Sequence, residues 1–450
     1  MWIWLWLLAA QTGGLSGAMP AHPETAALNL YLAGDREGAM ARLQTAAGAD
    51  SRLADLLTGV RELARGHAAE AVAPLQNAVR NDSGNSAARQ ALADALYQSG
   101  HFQLAAVELM RVTDALPANA RAWYVLGRTW SALAQNGTRE LLAVAPPDSA
   151  MGLAAAADGF MERHLYRRAL VLYRQALDKD PDLLPVRASA AQIYRLNGRA
   201  DWAAKENERI AAADCSDLAL ACQARGGHYE ALLAAVLHGH STADLYWRIQ
   251  AYTGLANNAF TKLAALPPSP QLHQYKAGIA HEAGEHAEVV VELRMAVQLA
   301  PRDRALRRDL AMALGGDGEY GEAVRMARDL LRNEPDSAEL NALAGTALLD
   351  DQKAEEAIGY LQKALAAGAA GASLRASLGK ALLQTGKPTL ALPHLSAAAS
   401  ADQDGSVHFQ LARAYQQTGQ KELAARAMAE YRKLATKVPF PPEPPLAPPE

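Results

Sequence analysis

The sequence is poor in aromatic residues. Phe, Trp and Tyr supply 6% of its 450 residues, although apolar residues make up half of them. A core must therefore be built largely from Ala and Leu, which suits helices packed closely through small side chains. No block of basic residues accompanies the formal net charge of −4, which argues against a dedicated nucleic-acid binder. Beyond the first ten residues no long apolar run occurs, so no membrane span is expected. Also missing are a GxSxG elbow, a GxxxxGK[ST] phosphate loop and a GxGxxG turn after a strand pattern. Gly379-Lys380 fails as a phosphate loop because Leu374 stands where its first glycine belongs.

What the sequence does contain is a period. From Arg304 to Ser337, Leu306, Leu310, Ala311 and Leu314 recur at helical intervals, and Gly315 to Gly318 break the pattern. Tyr320, Ala323, Ala327 and Leu330 then restart it until Pro335. That spells helix, tight turn, helix and stop in 34 residues, and the next unit opens at Ala338 with the same spacing. Turn glycines set the pace along the chain: Gly34, Gly66, Gly100, Gly198, Gly284, Gly318, Gly386 and Gly419, with Gln352 where a further glycine would stand. Seven places before many of them sits a small residue (Gly59, Ala93, Ala191, Ala277, Ala311, Gly379). Five places after them comes a small or β-branched one, such as Ala71, Ala105, Val289 or Ala323.

At Ala120 to Trp130 the pattern is clearest, with Trp123, Leu126, Gly127 and Trp130 preceded by Pro117. Together with Tyr194, Gly198, Trp202 and Ala203, and with Leu411, Ala412, Tyr415, Gly419 and Ala424, it resembles the tetratricopeptide repeat (TPR) family across most of Pro20 to Val438. The resemblance implies an all-α fold, an α-solenoid of helical hairpins wound as a right-handed superhelix, with a concave face lined by the first helices. Such a face binds an extended peptide or another protein, and the resemblance implies no catalytic residues, metal or cofactor.

Two stretches depart from the period. After Trp130 the chain leaves too little for a normal second helix before Ala150. Residues 211–270 hold no regular unit: a short hairpin is expected at Leu218 to Val236, a loop at His238 to Thr242, and a long helix from about Ala243 to Leu266. The resulting division is a signal peptide over 1–18, an N-terminal repeat block over 19–217, an irregular helical joint over 218–269, a C-terminal block over 270–438 and an extended proline-rich tail over 439–450. Cys215 and Cys222 flank the start of the joint and are open to two readings, a disulfide clipping a helix to its entry loop or two free, buried thiols. The tripeptides from Asn81 and Asn136 match glycosylation sequons but read more simply as turns.

His281 and His286, in HEAGEH, stand five residues apart, which on one helix would leave the rings about 140° apart, so they do not form the HExxH zinc pair. His238 and His240 lack a Cys or carboxylate at ligand spacing. Gln90, Asp94, Val125, Ala154 and Asp158 occupy the places of the family's Lys, Asn and Arg carboxylate clamp, so no clamp is expected. Candidate partner-binding residues come from places two, five, nine and twelve of the first helices, which share a face. They are Arg121, Tyr124 and Arg128 in the clearest repeat, Gln192 and Arg195 farther on, and Phe409, Arg413 and Gln416 near the C-terminus. Aromatic and Arg side chains anchor interfaces. The expected function is a non-catalytic scaffold or adaptor for a protein or peptide. The alternative is a regulatory or substrate-recognition subunit of a separately encoded envelope enzyme, such as a glycan-assembly machine.

The N-terminal MWIWLWLLAA has the length of a secretory apolar region, and Ser16-Gly17-Ala18 offers small residues for cleavage after Ala18. No Lys or Arg precedes Arg36, so the positive region rests on the terminal amine, and a buried apolar strand or helix is the competing reading. No Cys lies near Ala18 to carry a lipid. The expectation is an exported, periplasmic or extracellular protein starting near Met19. Mass spectrometry of protein from its native cell should show that start; an intact Met1 in the cytoplasmic fraction would contradict export.

Overall fold

The computed structural model describes residues 23–32, 34–45, 54–216, 218–369, 371–436, 444–446 and 448–449. The expected signal peptide lies outside them. Among the described residues every regular element is helical, as the period requires. The chain divides into two compact units at Pro117/Ala118. The first holds α1 (Pro23–Leu32), α2 (Arg36–Thr45), α3 (Ala54–Arg65), α4 (Ala68–Asn81), α5 (Ser86–Gln98) and α6 (Phe102–Ala115), paired in order as three hairpins.

The second unit opens with α7 (Ala120–Val144), α8 (Ala150–Met161), α9 (Tyr166–Lys179), α10 (Leu184–Leu196), α11 (Ala200–Ala212), α12 (Ala219–Arg225), α13 (Tyr229–Val236) and α14 (Thr242–Ala264). Five regular hairpins follow: α15 (Pro270–Glu282) with α16 (His286–Leu299), α17 (Arg304–Gly316) with α18 (Tyr320–Leu331), α19 (Ala338–Asp350) with α20 (Ala354–Ala366), α21 (Ala372–Gln384) with α22 (Pro388–Ala398), and α23 (Ser406–Gln417) with α24 (Lys421–Ala435).

The two helices of a hairpin begin by different means. Six of the first helices are entered through side-chain caps: Asn85, Asn119, Ser149, Ser269, Asp303 and Ser337 each accept a bond from a backbone N–H in the first turn. Second helices follow a residue in the left-handed region instead. All eight turn glycines named from the sequence have φ between 71° and 89°. Gln352 takes the same turn at φ 61°, as does His164 at φ 57° between α8 and α9, a turn that carries no glycine to reveal it.

Within a hairpin the helices meet at one close approach. A Cβ on Gly59 would fall 2.3 Å from Leu75, one on Gly345 2.7 Å from Leu361, and one on Gly379 2.5 Å from Leu395. In each pair the Leu lies sixteen places on. Buried Ala and Leu of these faces form a continuous core from Ala277 to Ala427.

The departures from the period have a structural meaning. The expected hairpin, loop and long helix over 218–266 are present as α12, α13, the turn before Ser241 and α14. The stretch after Trp130 is different from expectation, because α7 runs unbroken for 25 residues through Asn136-Gly137-Thr138. That tripeptide is helix and not a turn. Gly137 is held there by α14, where a Cβ would come 2.9 Å from Ile249. The tripeptide from Asn81 does fall at the end of α4, with the turn after it. Long α7 pairs along its length with long α14, Trp130 stacks on Tyr252 at 5.6 Å, and Gly127 receives the ring of Phe260, 2.6 Å from where a Cβ would be. Helices α8 to α13 form three hairpins looped out between these partners. Helix α15 then packs beside α7, and His164 at the tip of the first looped-out hairpin bonds through Nε2 to the Glu282 carbonyl at the end of α15.

Replacing Gly127 with Leu should therefore lower stability by about 2 kcal/mol through overpacking against Phe260. Exposed Gly278 in α15 has open space around its Cβ position, so Gly278→Ala should raise stability by about 0.5–1 kcal/mol. Denaturant unfolding of both variants checks the pair; equal effects would mean that α7 and α14 are not in close contact.

Candidate functional site

The face named from the sequence is partly assembled by the fold. On α7, Arg121 and Tyr124 are half-buried and Arg128 is exposed. Nη1 of Arg128 donates to the Tyr124 hydroxyl at 3.4 Å, and its guanidinium lies 5.9 Å from the ring centroid. Gln192 and Arg195 are exposed on α10, among the looped-out hairpins, and Phe409, Arg413 and Gln416 are exposed on α23. Phe409 rests on Tyr431 of α24 with ring centroids 5.4 Å apart, and Nη1 of Arg413 donates to Gln410 at 3.3 Å. The three groups thus sit on helices with different neighbours: α7 lies against α14 and α15, α10 against α9 and α11, and α23 against α21, α22 and α24.

Because α15 lies beside α7, the Tyr124 face continues onto residues the sequence reading did not select. Asp309 of α17 is close enough to Arg128 to feel its charge, and Gln274 of α15 lies near the same carboxyl. Burial and the nearby Asp303 carboxylate nonetheless push Asp309 up to about 6, with Arg128 and Arg308 opposing. Met312 on α17 and Ile279 on α15 are exposed apolar residues of the same helices, at 39% and 49%. Gln274 holds place five of its repeat, as Tyr124 does, so carrying the face from repeat to repeat would have found it. Asp309 lies off that stripe and carried no sequence signal.

A second buried group joins α8, α9 and α14. The Tyr173 hydroxyl donates to Asp158 at 2.5 Å, and Tyr246, fully enclosed, lies close to the same carboxyl. Burial pushes Asp158 up to about 6, opposed by the Tyr173 bond and assisted by Glu162. It holds both tyrosines above their ordinary range. Asp158 occupies a clamp place but faces a tyrosine of its own hairpin. Cys215 and Cys222 are bonded to each other, with Cα atoms 5.7 Å apart, clipping the loop before α12 to that helix. Among the described residues no three His, Cys, Asp or Glu side chains gather as a metal site, and no helix is long and apolar enough to cross a membrane.

Hairpins of this length, stacked with small residues at the crossing and left-handed turns between their helices, define a helical-repeat array. The TPR sequence patterns match residues 62–129 in one form and 308–372 and 377–439 in another. The chain belongs to the tetratricopeptide repeat family. Among solved structures it is similar to MamA from Desulfovibrio magneticus RS-1, with 19% identity over 37% of this chain and 94% of that one at a TM-score of 0.34. It is also similar to a thermophilic TPR protein of Thermus thermophilus, with 17% identity over 38% and 93% at 0.31. MamA of strain MSR-1 shows 23% identity over 37% and 95% at 0.33. Each aligns over little more than a third of this chain, so the assignment rests on the repeat patterns and the hairpin geometry. No curated protein matches the sequence.

The raised Asp309 sets a pH dependence. Between its ordinary value of 3.8 and about 6 the folded chain holds more protons at this group than the unfolded chain, so its contribution to stability falls as pH rises through that window. Asp309→Asn should therefore stabilise the protein more at pH 7.5 than at pH 4.5, by about 1 kcal/mol once partial exposure is allowed for. Thermal melts of both proteins at the two pH values test this, and a pH-independent difference would contradict it.

Proposed function

We propose that the protein is a scaffold that captures a protein or peptide partner on the row of first helices beginning at α7, and that it works outside the cytoplasm. The observation that carries the reading is the Tyr124 and Arg128 pair, an aromatic face and a guanidinium side by side on a repeat array. Both residue types concentrate binding energy in interfaces. Asp309 balances part of the Arg128 charge, so the partner segment is one that presents both a carboxylate for the guanidinium and an apolar side chain for the Tyr124 ring and Met312. Bonded Cys215 and Cys222 fit an oxidising compartment, which is the support for export beside the N-terminal apolar run.

Tyr124→Ala combined with Arg128→Glu should leave the helical content intact and weaken partner capture by about 2 kcal/mol or more, roughly thirtyfold. The measurement is affinity for the partner recovered by pull-down from an envelope fraction. Unchanged capture at unchanged stability would remove this face as the binding surface, and recovery of an enzyme as the principal partner would favour the regulatory-subunit reading.

A further inference from the structure

Helices α9, α10 and α11, in the looped-out hairpins, enclose a cleft of about 260 Å³ remote in sequence from the Tyr124 face. Arg174 of α9, Arg187 and Tyr194 of α10, and Glu206 and Arg209 of α11 line it. Its charges are held in place: Glu206 is 3% exposed, and its two oxygens accept from Arg187 and Arg209 at 3.0 Å each. With Asp178 also at the rim, three guanidinium groups face two carboxylates, leaving the cleft cationic. Tyr194 is 1% exposed and meets Trp202 edge-on at 5.6 Å, while Arg199 covers the other ring at 3.3 Å. The Tyr194 ring is therefore fixed in the wall of the cleft.

Pro449 lines the same cleft. In the tail around it, Pro444, Leu446 and Pro449 are half-buried while Pro445 and Pro448 are exposed, and none of them is in a helix or strand. A proline-rich segment with some residues covered and others open, outside any helix or strand, is what an extended polyproline chain presents to a groove. The sequence PFPPEPPLAPPE supplies opposite charge at Glu443 and Glu450.

We infer that the α9–α11 cleft is a docking site for a proline-rich acidic segment and that the tail of this chain, seated through Pro449, is its resident occupant. The tail lies against the cleft through Pro449 in the resting molecule, and a segment of the same chemistry enters only by displacing it.

The test uses the full chain and a labelled peptide of residues 439–450. In a variant with Pro444, Pro445, Pro448 and Pro449 all replaced by Ser, the peptide should bind at least tenfold more tightly than to the parent, because a tethered occupant competes at millimolar effective concentration. Arg174→Glu placed in that variant should abolish peptide binding with helical content and melting unchanged. If that substitution disturbs folding, Arg209→Gln should weaken binding at least fivefold instead. Dilution of the parent should leave its low affinity unchanged, as an intramolecular occupant requires. No binding to the folded four-Ser variant, equal binding to both chains, or competition that fades on dilution would each overturn the proposal.

Discussion

The structure depends on the place where the two helices of a hairpin cross. A small residue on the first helix admits a leucine sixteen places later, and the Gly59 and Leu75, Gly345 and Leu361, and Gly379 and Leu395 pairs each leave no room for a Cβ. Ala93 with Leu109 and Ala277 with Leu293 repeat the spacing with buried residues. Dispersion contacts are lost steeply with distance, so an Ala-rich core gains enough only when backbones come this near. That explains how a chain with so few aromatic rings builds long helical stacks. The left-handed turn then fixes where the second helix can start, and the crossing recurs at nearly constant spacing.

At α7 the same constraint is met from elsewhere in the chain. Gly127 is the small residue of its crossing, but the side chain seated against it is Phe260 of α14. Here the packing is aromatic: Trp130 stacks on Tyr252 across the two helices, Phe260 fills the space beside Gly127, and the same Phe260 stacks on Tyr275 of α15 at 4.4 Å. Larger side chains bridge two helices that are longer than any other described pair and are not held in register by a short turn. Gly254 lets Tyr229 of α13 approach, with a Cβ there falling 2.3 Å from the ring. The looped-out hairpins are thereby fastened at both ends, through α8 onto α7 and through α13 onto α14.

The regular hairpins were legible in the sequence because each is specified locally: a capping side chain, a small residue at the crossing, a glycine able to take positive φ. Where a rule is met by an unusual residue, as by His164 and Gln352, spacing still exposed Gln352. It failed at His164 because the repeat around it begins after an irregular α7. The pairing of α7 with α14 could not be read at all. It is a contact between segments more than a hundred residues apart, and Asn136-Gly137, a turn signal by composition, is overruled by the packing of Gly137 against Ile249. Of the candidate site, the Tyr124 and Arg128 pair was legible because helical spacing alone brings it together. Gln274 was within reach of the same spacing rule, at place five of its repeat, but Asp309 lies off that stripe and joins the face only once α15 packs beside α7.

That junction also separates two surfaces of unlike chemistry within the second unit. By taking its partner from α14, α7 keeps its first-helix face next to α15, so Tyr124, Gln274 and Met312 follow one another along helices whose sequences are interrupted by the looped-out hairpins. The cation of that face, Arg128, is tempered by a carboxyl that titrates near pH 6. The looped-out hairpins carry a different arrangement: Arg187 and Arg209 are clamped by direct hydrogen bonds to one buried carboxylate, Glu206, so the two guanidinium groups are held in position. One surface is thus an extended face whose charge balance responds to pH, and the other a small cleft whose charged groups are pinned to one another beside Tyr194. An inserted set of repeats, fastened at both ends, is what allows a single unit to hold both.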